Sequence, residues 1–395
     1  MTPGGSDIAR DLIPGFTSTG SKRPDALFGP GADADLPTRM IRSAGCRVWD
    51  TEGREYLDFI SALGAVALGY GHPAVIRAAI EAVASGAVGP LAPSDEMELA
   101  SELQSAVPWL ESIRFLKTGA EAVAASVRIA RAATGRERVL GCGYHGWLDW
   151  CQLTDPAVPA GTRASLGALR FDDPDDVRRQ CQRLGDTLAA IVVEPVIEKA
   201  PSREWLDTLR AESARVGAVL IFDEIKTGFR LAVGGAAERY GVRPDLVVFG
   251  KALASGFPLA LVGGRRDIMA RISQTWISST LATEMVSLAA ARATLRVMIE
   301  EQVPATLHRR GTEFMAGLVA LATRYPSLIE SVRGLPEMCH LVYREEAVGA
   351  DVARAAARRG LLFKRTAYNF VSLAHQPADI TRAMDIMDEV LSGIP

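Results

Sequence analysis

Two residues of this 395-residue chain have the types and placement for covalent chemistry on a carbonyl compound. Asp223 closes the apolar run AVLIFDE and Lys251 closes LVVFGK. In an open α/β sheet, ligands sit at the carboxyl ends of strands, and the interval between the two residues accommodates a crossover and the next strand. A buried carboxylate facing a buried amine is often a structural ion pair. Here Gly250 before the lysine and Ser255-Gly256 after it leave room for a flat ring, which a structural pair does not require. Lysine occupies only six positions (Lys22, Lys117, Lys199, Lys226, Lys251 and Lys364), so the search for a reactive amine is short.

Other groups could serve such a ring. Lys117-Thr118-Gly119-Ala120-Glu121 ends a strand and opens the helical stretch AEAVAASVRIARAATG. Thr118 and Glu121 fit a capping box, and the amides of Gly119 and Ala120 would form an anion site at the helix start, where a phosphate fits. The plainer reading is an ordinary capped helix. Tyr144-His145-Gly146-Trp147 places two aromatic faces and an imidazole in one loop, suited to stacking on a planar heterocycle or simply to core packing. The same stretch, GCGYHG, also spells a dinucleotide fingerprint. The adjoining segment WLDWCQLTDPAVP carries Pro156 and Pro159 where that fingerprint needs a helix. Gly250-Lys251 lacks the upstream glycine and following Ser/Thr of a P-loop.

The elements that must position these groups are set by periodicity. The apolar runs IRFLK, RVLGCGY, AAIVVEP, AVLIFDE, LVVFGK and ALVGG alternate with helical stretches such as 119–133 and 203–215. That alternation predicts a mainly parallel sheet covered by helices on both faces. RVWDTEGREYLDF predicts a small hairpin turning at Glu52-Gly53. A long helix from about Glu284 to Glu301 leaves the large domain. Beyond it, PSLIESVRGLPEMCHLVYR, the strand-like LLFKR and a closing helix from about Pro377 predict a compact α+β domain. The resulting division is an N-terminal arm and small-domain segment over 1–64, a large domain over 65–295 and a C-terminal small domain over 296–395. Residues 1 to about 37, rich in Gly, Pro, Ser and Asp, read as an arm that borrows its order from a neighbouring surface.

Composition excludes several classes. A net charge of −3 gives no footprint for a nucleic-acid backbone. No stretch approaches the roughly 20 apolar residues of a membrane helix, and the first residues lack a signal-peptide pattern, so a cytoplasmic protein is expected. The five cysteines contain no C-x-x-C pair, which argues against a disulfide framework or a zinc site.

The segments EYLDF…LGYGHPAV, FLKTGAEAVAASVRIARAATGR, GYHGW, VVEPV, LIFDEIKTGFR, FGKALASGFPLALVGG, SSTLATEMVSLAAA and NFVSLAH resemble, in order and spacing, those of class III, fold-type I aminotransferases. The likeness runs from about Thr38 to the C-terminus and is strongest to the glutamate-1-semialdehyde aminomutase-like branch. It implies pyridoxal 5'-phosphate as cofactor, held as a Schiff base on Lys251 with Asp223 paired to its ring nitrogen. It further implies that Gly119 and Ala120, with Thr118, bind the phosphate, that Tyr144 with His145 contacts the ring, and that Thr280 reaches the phosphate of the other subunit of a homodimer. A carboxylate beside the ring nitrogen keeps it protonated and able to accept electrons, and a displaced Lys251 would then move protons as base and acid.

Departures from the family pattern bear on the substrate. Lys117-Thr118-Gly119-Ala120 stands where Ser/Asn-Gly-Thr/Ser is usual, Lys226 where an uncharged residue is common, and Ala282-Thr283-Glu284 where a Gly-Asn-Pro-like turn is common. Lys226 and Glu284 are therefore candidate substrate contacts, and Trp147 of the GYHGW loop is another. Lys22 or Arg23 stands where aminomutases carry a carboxylate clamp, although a solvated basic pair would look the same. Lys226 lies at an odd offset from Asp223, which in a continuing strand turns it to the opposite face and favours Lys251 as the reactive amine. The expected activity is transfer of an amino group from an amino-acid donor to a small keto or aldehyde acceptor in biosynthesis, such as a cyclic ketone or keto acid of secondary metabolism. An aminomutase acting within one molecule is the alternative.

Overall fold

The computed structural model describes residues 12–32 and 35–394. The chain divides into two compact units, one formed by residues 1–63 with 309–395 and the other by 64–308. The first boundary falls beside the expected residue 64. The second falls at His308/Arg309, inside the helix Val303–Arg324, and so later than the expected 295/296.

The first unit opens with an arm carrying a short helix, Pro24–Phe28. The strands β1 (Met40–Ala44), β2 (Arg47–Asp50) and β3 (Glu55–Asp58) come next as an antiparallel meander. The expected hairpin turns at Gly53, whose φ of 79° suits glycine, and Asp50 fastens it by accepting from the amides of Glu52 and Arg54, each at 2.9 Å.

The second unit contains β4 (Ser112–Leu116), β5 (Arg138–Cys142), β6 (Leu166–Ala168), β7 (Leu188–Val193), β8 (Val219–Asp223), β9 (Leu246–Phe249) and β10 (Ala260–Gly264). They form one sheet in the order β4-β10-β9-β8-β7-β5-β6, in which only β10 runs antiparallel to its neighbours. Strands buried on both faces read as continuous apolar runs, and every residue of β7, β8, β9 and β10 is buried. Alternate residues (Ala190 and Val192, Val219 and Ile221, Leu246 and Val248) pack with Ala122, Val123 and Ile129 of the helix Gly119–Thr134 on one face. The three-residue edge strand β6, LGA, has too little periodicity to be foreseen. Two further helices, Pro73–Ala84 and Met285–Glu300, pack against each other.

The chain then completes the first unit with β11 (Ile329–Leu335), β12 (Met338–Tyr343), β13 (Leu361–Leu362) and β14 (Asn369–Phe370) and the helices Glu346–Arg358 and Pro377–Ser392. β13 pairs in parallel with β3, so the two ends of the sequence share one sheet. The described part of the arm is ordered by this C-terminal segment. Lys364 Nζ donates to the Ser21 carbonyl at 2.9 Å, Arg365 to that of Asp25 at 3.2 Å and Arg354 to that of Phe28 at 2.9 Å. Residues 1–11, the start of the expected arm, lie outside the described residues.

Candidate active site

The carboxyl ends of β5, β7, β8 and β9 gather the chemistry-bearing side chains of the second unit. Asp223 is the last residue of β8 and is buried, with its register partner Val248 one residue before the end of β9. Its Oδ2 lies 2.8 Å from His145 Nδ1, and its Oδ1 accepts the Ile225 amide at 3.2 Å. A carboxylate has about four acceptor positions, so two partners leave it able to take another donor. With the proton on Nδ1, the imidazole donates to Asp223 and fixes its orientation. Among the described residues its Nε2 is buried without a partner, and its ring stacks at 5.9 Å on Trp150.

Lys251 follows Gly250 at the end of β9 and begins a 3-10 turn, Lys251–Ala254. Its φ of 45° is left-handed, a conformation that costs a side-chain-bearing residue of order 1 kcal/mol and persists only where the surroundings enforce it. Burial pushes its ammonium down to about 8, and the nearby Lys226 adds to this, while Glu194 and Asp223 oppose it. An amine with that pKa is substantially neutral, hence nucleophilic, at mildly alkaline pH.

The helix Gly119–Thr134 begins with the expected capping box. Thr118 Oγ1 accepts the Glu121 amide at 3.2 Å, and Glu121 Oε2 accepts the Thr118 amide at 2.9 Å. Among the described residues, nothing takes up the amides of Gly119 and Ala120, which leaves two donors at the positive end of a four-turn helix. Gly119 is also packed so closely that an added Cβ would lie 2.5 Å from Ile225 Cδ1.

The loop after β5 is squeezed between two neighbours. Gly143, at φ 107°, passes where a Cβ would come within 2.6 Å of Glu194 Oε2, and Gly146, at φ 97°, where it would come within 2.7 Å of Ala120 Cβ. Tyr144 and Trp147 on this loop are 71% and 74% exposed, so their ring faces are open to a ligand. No helix opens on Gly146, only the 3-10 turn Asp149–Cys151, so the dinucleotide fingerprint lacks its context here too.

The remaining candidates separate. Thr280 is exposed in a turn before the helix Met285–Glu300. Glu284 caps that helix, accepting the amides of Val286 at 2.8 Å and Ser287 at 2.9 Å, and pairs with Lys117 at 2.6 Å. Burial works against its ionisation, but the Lys117 and Ser287 hydrogen bonds outweigh that and hold it below the usual carboxylate range. Glu284 and Lys117 thus satisfy each other and the helix end. Lys22 and Arg23 are exposed residues of the first unit.

Lys226 corrects the face argument. The strand stops at Asp223 and a turn occupies 225–227, so strand alternation does not apply, and Lys226 is close enough to repel the Lys251 ammonium. It pairs at 2.9 Å with Glu194, the residue after β7. Glu194 was not singled out from the sequence. Its position after the apolar run AAIVV, at a strand end like that of Asp223, was the available signal.

The residues fit pyridoxal phosphate. Two unpartnered helix amides suit its phosphate, a buried carboxylate with spare acceptor capacity suits its ring nitrogen, and the depressed lysine suits its aldehyde. A family model for aminotransferase class III matches residues 30–391. The chain belongs to the class III aminotransferases. Among curated members, it is 32% identical to the glutamate-1-semialdehyde 2,1-aminomutase of Thermomicrobium roseum and 31% identical to that of Methanothermobacter thermautotrophicus, each over 98% of this chain and 97% of the relative. The structure of the PLP internal aldimine form of the FumI protein of Sphingopyxis sp. superposes with a TM-score of 0.91 at 24% identity, covering 98% of this chain and 94% of the other. A transaminase with PLP bound gives 0.88 at 25%, covering 98% and 96%. The architecture is therefore that of the fold-type I PLP transferases, and members of this class III family use pyridoxal phosphate.

Proposed function

We propose that this class III enzyme uses pyridoxal phosphate to transfer an amino group from an amino-acid donor to a small keto or aldehyde acceptor. The observation carrying this reading is the convergence of a depressed lysine, Lys251, and a buried, incompletely saturated carboxylate, Asp223, at adjacent strand ends. Bound pyridoxal phosphate supplies an electron sink for the bonds at the carbon bearing the amino group. Lys251 would anchor it covalently and, when free, would hold and move a proton beside that carbon. Asp223 would pair with the ring nitrogen, and His145 orients Asp223. The Gly119 and Ala120 amides would hold the phosphate, while Tyr144 would stack on the ring and Trp147 would border the substrate.

A cytoplasmic homodimer with shared sites is part of this reading, with Thr280 serving the partner's phosphate. The helix Pro73–Ala84 leaves Ile76, Ile80 and Val83 exposed on one face, and Val88, Leu91, Trp276 and Leu281 are exposed as well. A bond from the Met285 amide to the Ala87 carbonyl at 2.8 Å brings the segment bearing Val88 beside the Thr280 turn. Apolar surface of this kind is what a subunit interface covers.

The names of the curated relatives favour a second reading, an aminomutase acting within one molecule. A half-reaction assay decides between them. Stoichiometric keto-acid release from glutamate or another single donor, with bleaching of the visible band, is expected for transfer. Turnover of one amino aldehyde without any donor would overturn transfer in favour of the mutase.

A further inference from the structure

Glu194 divides its carboxylate between two partners. Oε1 lies 2.9 Å from Lys226 Nζ, and Oε2 accepts the Tyr144 amide at 3.0 Å. The Lys226 and Glu194 side chains are 11% and 12% exposed, so this is a largely desolvated ion pair. Such a pair costs desolvation that its attraction only roughly offsets, so it is weak evidence of stabilisation. The pair bridges three elements of the candidate active site: the loop bearing Tyr144, the end of β7, and the turn after Asp223. The groups acting on the Lys251 amine are Lys226, Glu194, Arg230 and Asp223, the last with its partner His145.

We propose that Lys226 and Glu194 form a positioning pair for the reactive amine: Lys226 fixes Glu194, Glu194 fixes the Tyr144 loop, and their opposite charges set the field at Lys251. The inference rests on the reading of Lys251 as the covalent anchor. A neighbouring cation opposes protonation of an amine and a neighbouring carboxylate favours it. Replacing each member of the pair therefore moves the Lys251 titration in opposite directions, a signature that loss of packing alone does not produce.

The test is the pH midpoint of Lys251 acetylation, read by mass spectrometry on the full chain, alongside a visible-spectrum titration of the holoenzyme. Lys226→Met removes a repulsion and leaves Glu194 uncompensated, so the midpoint is expected to rise by about one unit. Glu194→Gln is expected to lower it by about half a unit and to make the 143–147 loop more susceptible to limited proteolysis. Lys226→Arg keeps the charge and is expected to stay within about 0.3 units of the wild type. Shifts of the same sign in Lys226→Met and Glu194→Gln, or no shift in either, overturn the proposal. If Lys226→Met does not fold, Glu194→Gln decides by falling or failing to fall. Borohydride that fixes no cofactor on wild-type Lys251 would instead overturn the anchor reading, while the acetylation midpoints, which need no cofactor, would still judge the pair.

Discussion

The two ends of the central sheet each bury an aspartate, and they treat it differently. At the amino end, Asp245 stands just before β9. It accepts the Leu220 amide at 2.8 Å and one arginine on each oxygen, Arg210 and Arg265, both at 3.0 Å. At the carboxyl end, Asp223 has one imidazole and one amide. Asp245 is held by three donors, two of them permanent cations, and ties strands together. Asp223 is oriented by two partners, neither a permanent cation, so it retains more acceptor capacity for a ligand. Burial alone does not distinguish a functional carboxylate from a structural one. Incomplete satisfaction in an otherwise ordered setting does.

This contrast can be broken most severely at the amine beside Asp223. Lys251→Ala should lower turnover by about a thousandfold or more and abolish the borohydride-trappable absorbance, whereas Lys226→Ala should retain that absorbance. The reverse result would move the anchor to Lys226. The two aspartates test the contrast directly. Asp223→Asn should cost about a hundredfold in kcat with little change in melting temperature, while Asp245→Asn should cost about 2 kcal/mol of unfolding free energy and leave kcat within about twofold. Equal stability losses would erase the distinction.

A milder effect lies in pH. Because Lys251 is pushed down to about 8, its neutral fraction rises about tenfold per unit below that pH and levels off above it. The rate at which stripped enzyme takes up pyridoxal phosphate should track that curve in stopped-flow absorbance. A curve still rising steeply near pH 10 would contradict it.

The smallest effect concerns a third carboxylate, Glu224, fully buried beside Asp223 and bound to the amides of Ala236 and Ala237 at 2.8 and 2.7 Å and to the Thr227 hydroxyl. Burial pushes it up to about 7 from 4.5. Between those values the folded form holds more protons than the unfolded one, so its contribution to stability is present below pH 4.5 and declines as pH rises to 7. Glu224→Gln should flatten that part of the melting profile, and an unchanged slope would show that Glu224 does not titrate there.

The strand-end pair Asp223 and Lys251 was legible because each closes a run buried on both faces, where periodicity and burial agree. The capping box at Thr118 was legible because its partners lie three residues apart. The Asp223–His145 bond and the Lys226–Glu194 pair were not, since each joins separate strand ends through register that no local pattern encodes. The Lys226 face argument failed for a related reason: alternation is informative only while the strand continues, and this one yields to a turn. The N-cap that Glu284 supplies to the next helix was equally hidden, because it comes without a Ser, Thr, Asp or Asn.

The parallel pairing of Leu361 with Leu57 imposes an order on synthesis. As the chain emerges from the ribosome, the continuous segment 64–308 can complete its sheet by itself, while β1 to β3 wait for a partner strand encoded after that segment. Until Leu361 and Leu362 have emerged, that early hairpin meander has an open edge, a state in which chaperone capture or mispairing between nascent chains competes with native closure.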